Sequence, residues 1–211
     1  MKKFKIFFIF LTSLIPTNTL RKLLYNFLFN YKIDGESKIG WLTFINCSKF
    51  ECTNTKIKSF NIISGNFFEI FYSEIGIMNK FKDINIININ TSKINSKNRF
   101  IGEKKISKDN YFVLKKNSFI KDNNYFDVTD GIEIKENCSI FSFIQIWTHG
   151  FTEKRLIKKK NVIINKGCTI NNACLISMGV QIGENSVIEI GSTVTKSVSN
   201  DGFYFHELQK K

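Results

Sequence analysis

Histidine is scarce in this chain: there are two in 211 residues, His149 and His206. That scarcity excludes a zinc site built on three histidines. It also leaves few side chains able to trade a proton near neutral pH. Proline occurs once, at Pro16, so the rest of the sequence runs without that breaker. Five cysteines form an odd set with no CxxC pair, which argues against a disulfide framework and for reduced thiols in a cytosolic protein. No apolar run is long enough to span a bilayer, which takes about 20 residues. The longest, Ile6 to Ile15, is broken by Thr12 and Ser13 and stopped by Pro16. It follows Lys2, Lys3 and Lys5 as a signal peptide would, but no small-x-small cleavage site comes after it.

What the chain has in excess is lysine. Lysine and arginine total 31 against 18 acids, a formal charge of +13. Such a balance favours anionic partners such as nucleotide phosphates, anionic lipid or acidic glycan. Richness in Ile, Asn, Lys and Phe together also points to codon bias, which scatters lysines over any solvated face. Beyond Pro16, Leu20, Leu23, Leu24, Phe27, Leu28 and Tyr31 recur at helical spacing opposite Arg21, Lys22 and Asn26, with Thr17 or Asn18 as the cap. Residues 1–31 are therefore expected to be helical and to rest on the main domain or on a membrane surface.

The remainder repeats every six residues. Ile164, Ile170, Ile176, Ile182, Ile188 and Val194 follow one another without a slip. Four residues after each stands a small or modest side chain: Cys168, Cys174, Val180, Ser186, Ser192 and Val198. Ile134, Ile140 and Ile146 keep the spacing, and so do Ile33, Ile39, Ile45, Ile57, Ile63, Ile75 and Phe81. Glu51 and Glu69 break that ladder, with Cys52 and Ile70 beside them. Leu114, Ile120, Phe126 and Ile132 resume it in another register. Period six is neither helical nor simple strand alternation. It fits short strands wound round a triangular prism, each face turning one aliphatic inward and each coil completing the core of the next. Left-handed backbone is expected at Asn165, Gly167, Asn171, Gly179, Gly183, Asn185 and Gly191.

Three segments follow: a helical segment 1–31, a β-helix 32–198, and a short tail 199–211. The β-helix is expected to carry an irregular insertion around 88–112 and a basic loop at 150–161.

These repeats resemble the hexapeptide acyltransferases, left-handed parallel β-helix enzymes such as the sugar and polysaccharide O-acetyltransferases. Met178-Gly179-Val180-Gln181-Ile182-Gly183-Glu184-Asn185 is similar to the family's P-G-V-x-I-G-x-N, and Ile190-Gly191-Ser192-Thr193-Val194-Thr195-Lys196 to its A-G-S-V-V-T-K. Asp127 to Ile134, then Gln145-Ile146-Trp147-Thr148-His149, resembles the segment that ends in the family's catalytic histidine. The resemblance implies an all-β, left-handed parallel β-helix with an N-terminal helical segment, assembled as a homotrimer. It implies acetyl-CoA as donor, a sugar or glycan as acceptor, and neither metal nor nucleic acid. It places Thr195 and Lys196 facing CoA, with Asn172 and Ile190 touching the pantetheine arm through their backbone. An active-site asparagine of some relatives counts onto Asp122, and that role is not carried over.

Acyl transfer to a hydroxyl needs a base, and imidazole suits it. His206 lies in the tail, whereas His149 stands where the prism opens into its loop. His149 is therefore the candidate base, with Glu153 or Asp127 as the carboxylate that orients it. The expected activity is O-acetylation of a sugar in surface polysaccharide synthesis, in the cytoplasm or at the inner face of the membrane. N-acetylation of a nucleotide-linked amino sugar is the alternative within the class, and a non-catalytic β-solenoid scaffold the alternative outside it. Ice-binding solenoids present a regular threonine-rich face, which this sequence lacks.

Overall fold

The six-residue period becomes a three-sided stack of parallel coils in the computed structural model, which describes residues 2–103, 109–154 and 156–205. Each circuit lays one strand on each face, and each strand pairs with those directly before and after it on that face. On the second face Lys38–Ile39 pairs in parallel with Lys56–Ile57, and that with Glu74–Ile75. The series continues to Val187–Ile188 and Phe203–Tyr204. A two-residue strand turns one side chain in and one out. The inward one here is isoleucine in every circuit from Ile39 to Ile188, never more than 1% exposed. Burying each contributes about 1.5–3 kcal/mol. A slip of one residue would push Lys38, Lys56 and Lys93 into the core, so the pattern fixes the register.

The third face changes its filling partway up. Ile45 and Ile63 give way to Phe81, Phe100 and Phe126, whose rings stack at 4.5 and 4.6 Å with interplanar angles of 5° and 9°. Identical pairing positions one coil apart make that column possible, since adjacent strands sit about 4.8 Å apart. The first circuits also account for the break at the glutamates. Phe44–Thr53, Ile62–Phe71 and Lys80–Asn90 run unbroken round the corner from the third face to the first. Ile45 to Cys52 takes one residue more than a regular face and Cys52 to Ile57 one fewer, so the ladder slips and recovers. Cys52 and Ile70 thus fill the core, while Glu51 turns out to meet Lys32 and Lys49 at 3.2 and 3.0 Å.

Two corners are tied by side-chain ladders. Between the first and second faces, Ser37, Thr55, Ser73, Ser92 and Ser118 are buried, and each hydroxyl accepts the backbone N–H of its counterpart one coil on. Between the second and third faces, buried Asn61, Asn79, Asn98 and Asn124 do the same through their amide oxygens, at 2.8–3.0 Å. Buried polar groups are tolerable only when bonded in this way. All five cysteines are buried, and Cys138, Cys168 and Cys174 occupy these same corner positions.

Left-handed backbone occurs at Gly167, Gly179, Asn185 and Gly191, but not at Asn165, Asn171 or Gly183. Asn165 instead donates its amide to Ile182 O at 2.7 Å. Gly183 is required by proximity: a Cβ there would lie 2.3 Å from the Ser199 carbonyl carbon. Bulky residues take left-handed turns that no glycine marks, including Leu42, Phe60, Met78 and Phe143.

The irregular stretch expected at 88–112 is narrower. Lys93–Ile94 and Arg99–Ile101 are regular coil strands, the next strand is Tyr111–Leu114, and residues 104–108 lie outside the described residues. The basic loop is a hairpin, His149–Phe151 antiparallel to Ile157–Lys159. The tail begins inside the prism, since Phe203–Tyr204 pairs in parallel with Val187–Ile188. His206 and Arg155 lie outside the described residues.

Two helices, α1 (Lys2–Leu14) and α2 (Asn18–Phe29), close the open end of the first coil. They dock largely through polar side chains, with Ile9 and Tyr25 buried beside them, and leave most of their apolar residues facing outward. Arg21 and Lys22 are buried and donate to the carbonyls of Ile39, Asp34 and Gly35. Asn26 exchanges two hydrogen bonds with Ile33, and Asn18 accepts from Ile39 N–H at 2.8 Å. Thr17 holds the cap position without a side-chain bond. The reason is electrostatic: the first coil has no neighbour to satisfy its backbone groups.

Replacing Asn79 by Ala removes bonds to Asn98 N–H and Asn95 O and should destabilise the fold by about 2 kcal/mol or more. Replacing exposed Asn123, left-handed at φ 61°, by Gly should cost far less. Urea unfolding of both variants checks the contrast.

Candidate active site

The site forms at the corner between the third and first faces, where the chain makes its extra excursions. The strand Tyr125–Asp127 ends at this corner, and Gln145–Ile146 lies directly on top of it, pairing Tyr125 with Gln145 and Phe126 with Ile146. The residues that follow each strand are stacked in turn, which sets His149 over Asp127. His149 Nδ1 lies 2.7 Å from Asp127 Oδ2. The same oxygen accepts the backbone N–H groups of Thr148 and His149 at 2.9 and 3.1 Å. Oδ1 accepts the Thr129 hydroxyl at 2.6 Å and its N–H at 3.3 Å. The Asp127 side chain is 4% exposed and that of His149 32%. A carboxylate so surrounded is held in one orientation, and it fixes the imidazole in turn.

Because Nδ1 faces an acceptor, it carries the proton of the neutral ring, and Nε2 is left as the free base. Thr148 braces the pair from above, its hydroxyl donating to Asp127 O at 2.9 Å and accepting Asp130 N–H at 3.0 Å. Glu153, the other carboxylate considered from the sequence, lies exposed in the hairpin turn away from the ring's hydrogen bond. Asp122 is also elsewhere: it serves a turn at the second corner, accepting Ser96 N–H at 2.8 Å. Thr129 and Thr148 could be found only by knowing the inter-coil register, because nothing local marks them.

An aromatic wall adjoins the ring. Trp147 is edge-on to His149 at 6.3 Å, Tyr125 lies 5.2 Å from Trp147, and the Arg99 guanidinium sits 5.7 Å from the Tyr125 ring. Arg99 and Tyr125 were not legible as site residues. They come from the two preceding coils and reach the site only through pairing of Arg99, Tyr125 and Gln145. Burial raises the Tyr125 phenol above its usual pKa, and Asp127 pushes the same way. Burial likewise raises the Asp130 carboxyl, reinforced by Asp109.

One coil above, the Met178–Gly179 turn covers the hairpin root: a Cβ on Gly150 would lie 3.3 Å from Met178 Cε. On the far side, the hairpin is tethered by an ion pair between Lys159 and Glu103. The positions that the family resemblance assigns to CoA fall in two groups. Thr195 and Lys196 are exposed on the His149 corner, following the strand Thr193–Val194 two coils above. Asn172 and Ile190 stack on the neighbouring corner, where Gly191 N–H bonds Asn172 O at 2.9 Å. The two groups flank one face of the prism. Ile190 is 64% exposed, whereas the Asn172 side chain accepts Ser142 N–H at 2.9 Å.

Among solved structures, the chain is similar to hexapeptide-repeat acetyltransferases. One from Vibrio cholerae is 14% identical, with 93% of this chain and 80% of that chain covered and a TM-score of 0.39. A polySia-specific acetyltransferase, NeuO, is 15% identical over 82% of this chain and 74% of that one, at 0.43. A polysialic acid O-acetyltransferase is 11% identical over 84% and 88%, at 0.35. No family model and no curated protein matches the sequence.

At a pH where the imidazole is neutral, nitrogen NMR should find the His149 proton on Nδ1. Asp127→Asn must turn an NH₂ toward N–H or O–H donors and should lose that single tautomer. A wild-type ring protonated on Nε2 would contradict the geometry.

Proposed function

We propose that the protein moves an acetyl group from acetyl-CoA to a sugar hydroxyl, in the cytoplasm, during synthesis of a surface polysaccharide. The observation that carries this reading is the Asp127–His149 pair, with a buried carboxylate on Nδ1 and an outward-facing Nε2. An alcohol is a poor nucleophile until a base removes its proton. Nε2 takes that proton as the oxygen attacks the thioester carbonyl. The C–S bond then breaks, and the imidazolium returns the proton to the departing thiolate. Asp127 stabilises the imidazolium and keeps the ring aimed throughout. Thr148 and His149 N–H groups are occupied by Asp127, so they are not the oxyanion donors. Met178 and Gly179 N–H groups, bonded to no carbonyl among the described residues, are free for that role.

Trp147 and Tyr125 offer the amphipathic aromatic surface on which a sugar ring stacks, and the contact of Trp147 with His149 favours a carbohydrate acceptor. On the donor side, Thr195 and Lys196 face CoA, the lysine serving a phosphate as a point charge. Asn172 and Ile190 lie along the pantetheine arm. A homotrimer would wall the flanked face with a neighbouring subunit.

His149→Ala should lower transfer from acetyl-CoA by about 10²–10⁴-fold with the fold intact by circular dichroism. Lys196→Ala should raise the KM for acetyl-CoA a few-fold with little change in kcat. Offering hydroxyl and amino sugars side by side tests the acceptor. Transfer surviving in His149→Ala, or confined to amino groups, would overturn the reading.

A further inference from the structure

We infer that the helical cap is a docking surface for an anionic lipid bilayer. The inference stands on the cap alone and does not depend on the proposed reaction. α1 buries only the side carrying Ile9, Thr12 and Ser13. Around the rest of it Phe4, Phe7, Phe8, Phe10, Leu11 and Leu14 are 39–72% exposed. A helix apolar on all sides is ordinarily buried. α2 adds to the same deficit because it is docked inside out. Its cationic face is consumed by the carbonyls of the first coil, which leaves Leu23 at 57% and Phe27 at 81% exposed. These side chains leave a largely apolar surface facing water, and exposed apolar patches beyond about a few hundred Å² mark protein or membrane interaction sites.

The patch continues onto the prism. Trp41 donates its indole N–H to Leu14 O at 3.0 Å, and its ring lies 6.1 Å from Phe60. Phe60 and Met78 are exposed apolar residues at left-handed turns, φ 63° and 58°, where Asn or Gly costs less. Further along the same corner, Lys97, Asn123 and Phe143 take that conformation.

Charge selects the occupant. No acidic residue precedes Asp34, and although Arg21 and Lys22 are held by first-coil carbonyls, Lys5 by Cys47 O and Lys32 by Glu51, the stretch has no acid of its own to offset its positive charge. A second copy applied to this face would set cations against cations. An anionic bilayer offers hydrocarbon to the apolar face and a negative surface to the net positive charge of this stretch. Neither helix is long and apolar enough to cross it.

The test is co-sedimentation of the full chain with phosphatidylcholine vesicles, with and without one-third phosphatidylglycerol. Binding should require phosphatidylglycerol, weaken with salt, and fall at least tenfold in Phe7→Asp/Phe10→Asp, whose replaced side chains are exposed. Phe143→Asp, at an exposed turn remote from the cap, should bind as wild type does. Three results would overturn the inference. One is no vesicle binding, and another is binding that the double variant leaves unchanged. The third is an oligomer that the double variant dissociates without any vesicle binding, which would assign the face to a protein partner.

Discussion

Every coil of this protein depends on the one beneath it, because a two-residue strand can satisfy its backbone only through its neighbours. The isoleucine column of the second face, the phenylalanine stack of the third and the hydroxyl and amide ladders at two corners all enforce one stacking register. The Asp127–His149 pair is a product of that register. The two residues are distant in sequence and meet because their strands are successive rungs on the same face.

The two tied corners also explain where irregularity is allowed. Ser and Asn ladders bind the first and second corners from coil to coil, so departures collect at the third. The long bent strands and the His149 hairpin both lie there. A solenoid that confines its insertions to one edge can carry chemistry on that edge without disturbing the core. At its open end the same hydrogen-bonding demand recruits Arg21, Lys22 and Asn26 inward and turns apolar residues out.

Much of the fold was legible because one inward residue per six is a strong periodic signal. The parallel coils, the small corner residues and the helical N-terminal segment could all be read from spacing. What escaped notice depended on packing between coils. Glu51 and Glu69 looked like breaks because a bulged corner offsets the ladder for a few residues. Left-handed turns at Phe60 and Met78 carry no residue-type signature. At the site, His149 could be found from its motif and its rarity, but Asp127 and Glu153 were equal candidates until the stacking set one beneath the ring and the other in solvent. Arg99 and Tyr125 beside Trp147 were hidden for the same reason, each coming from a different coil. Spacing revealed the apolar face of α2 but left its direction open between domain and membrane, since periodicity does not say what the inner surface needs.

The most direct measurement of the account as a whole is a crystal structure of the protein with CoA bound. The account expects the thiol within about 3–4 Å of His149 Nε2, with the pantetheine arm running along the face flanked by Asn172 and Thr195. CoA seated on another face of the prism, with His149 Nε2 out of reach of its sulfur, would contradict it.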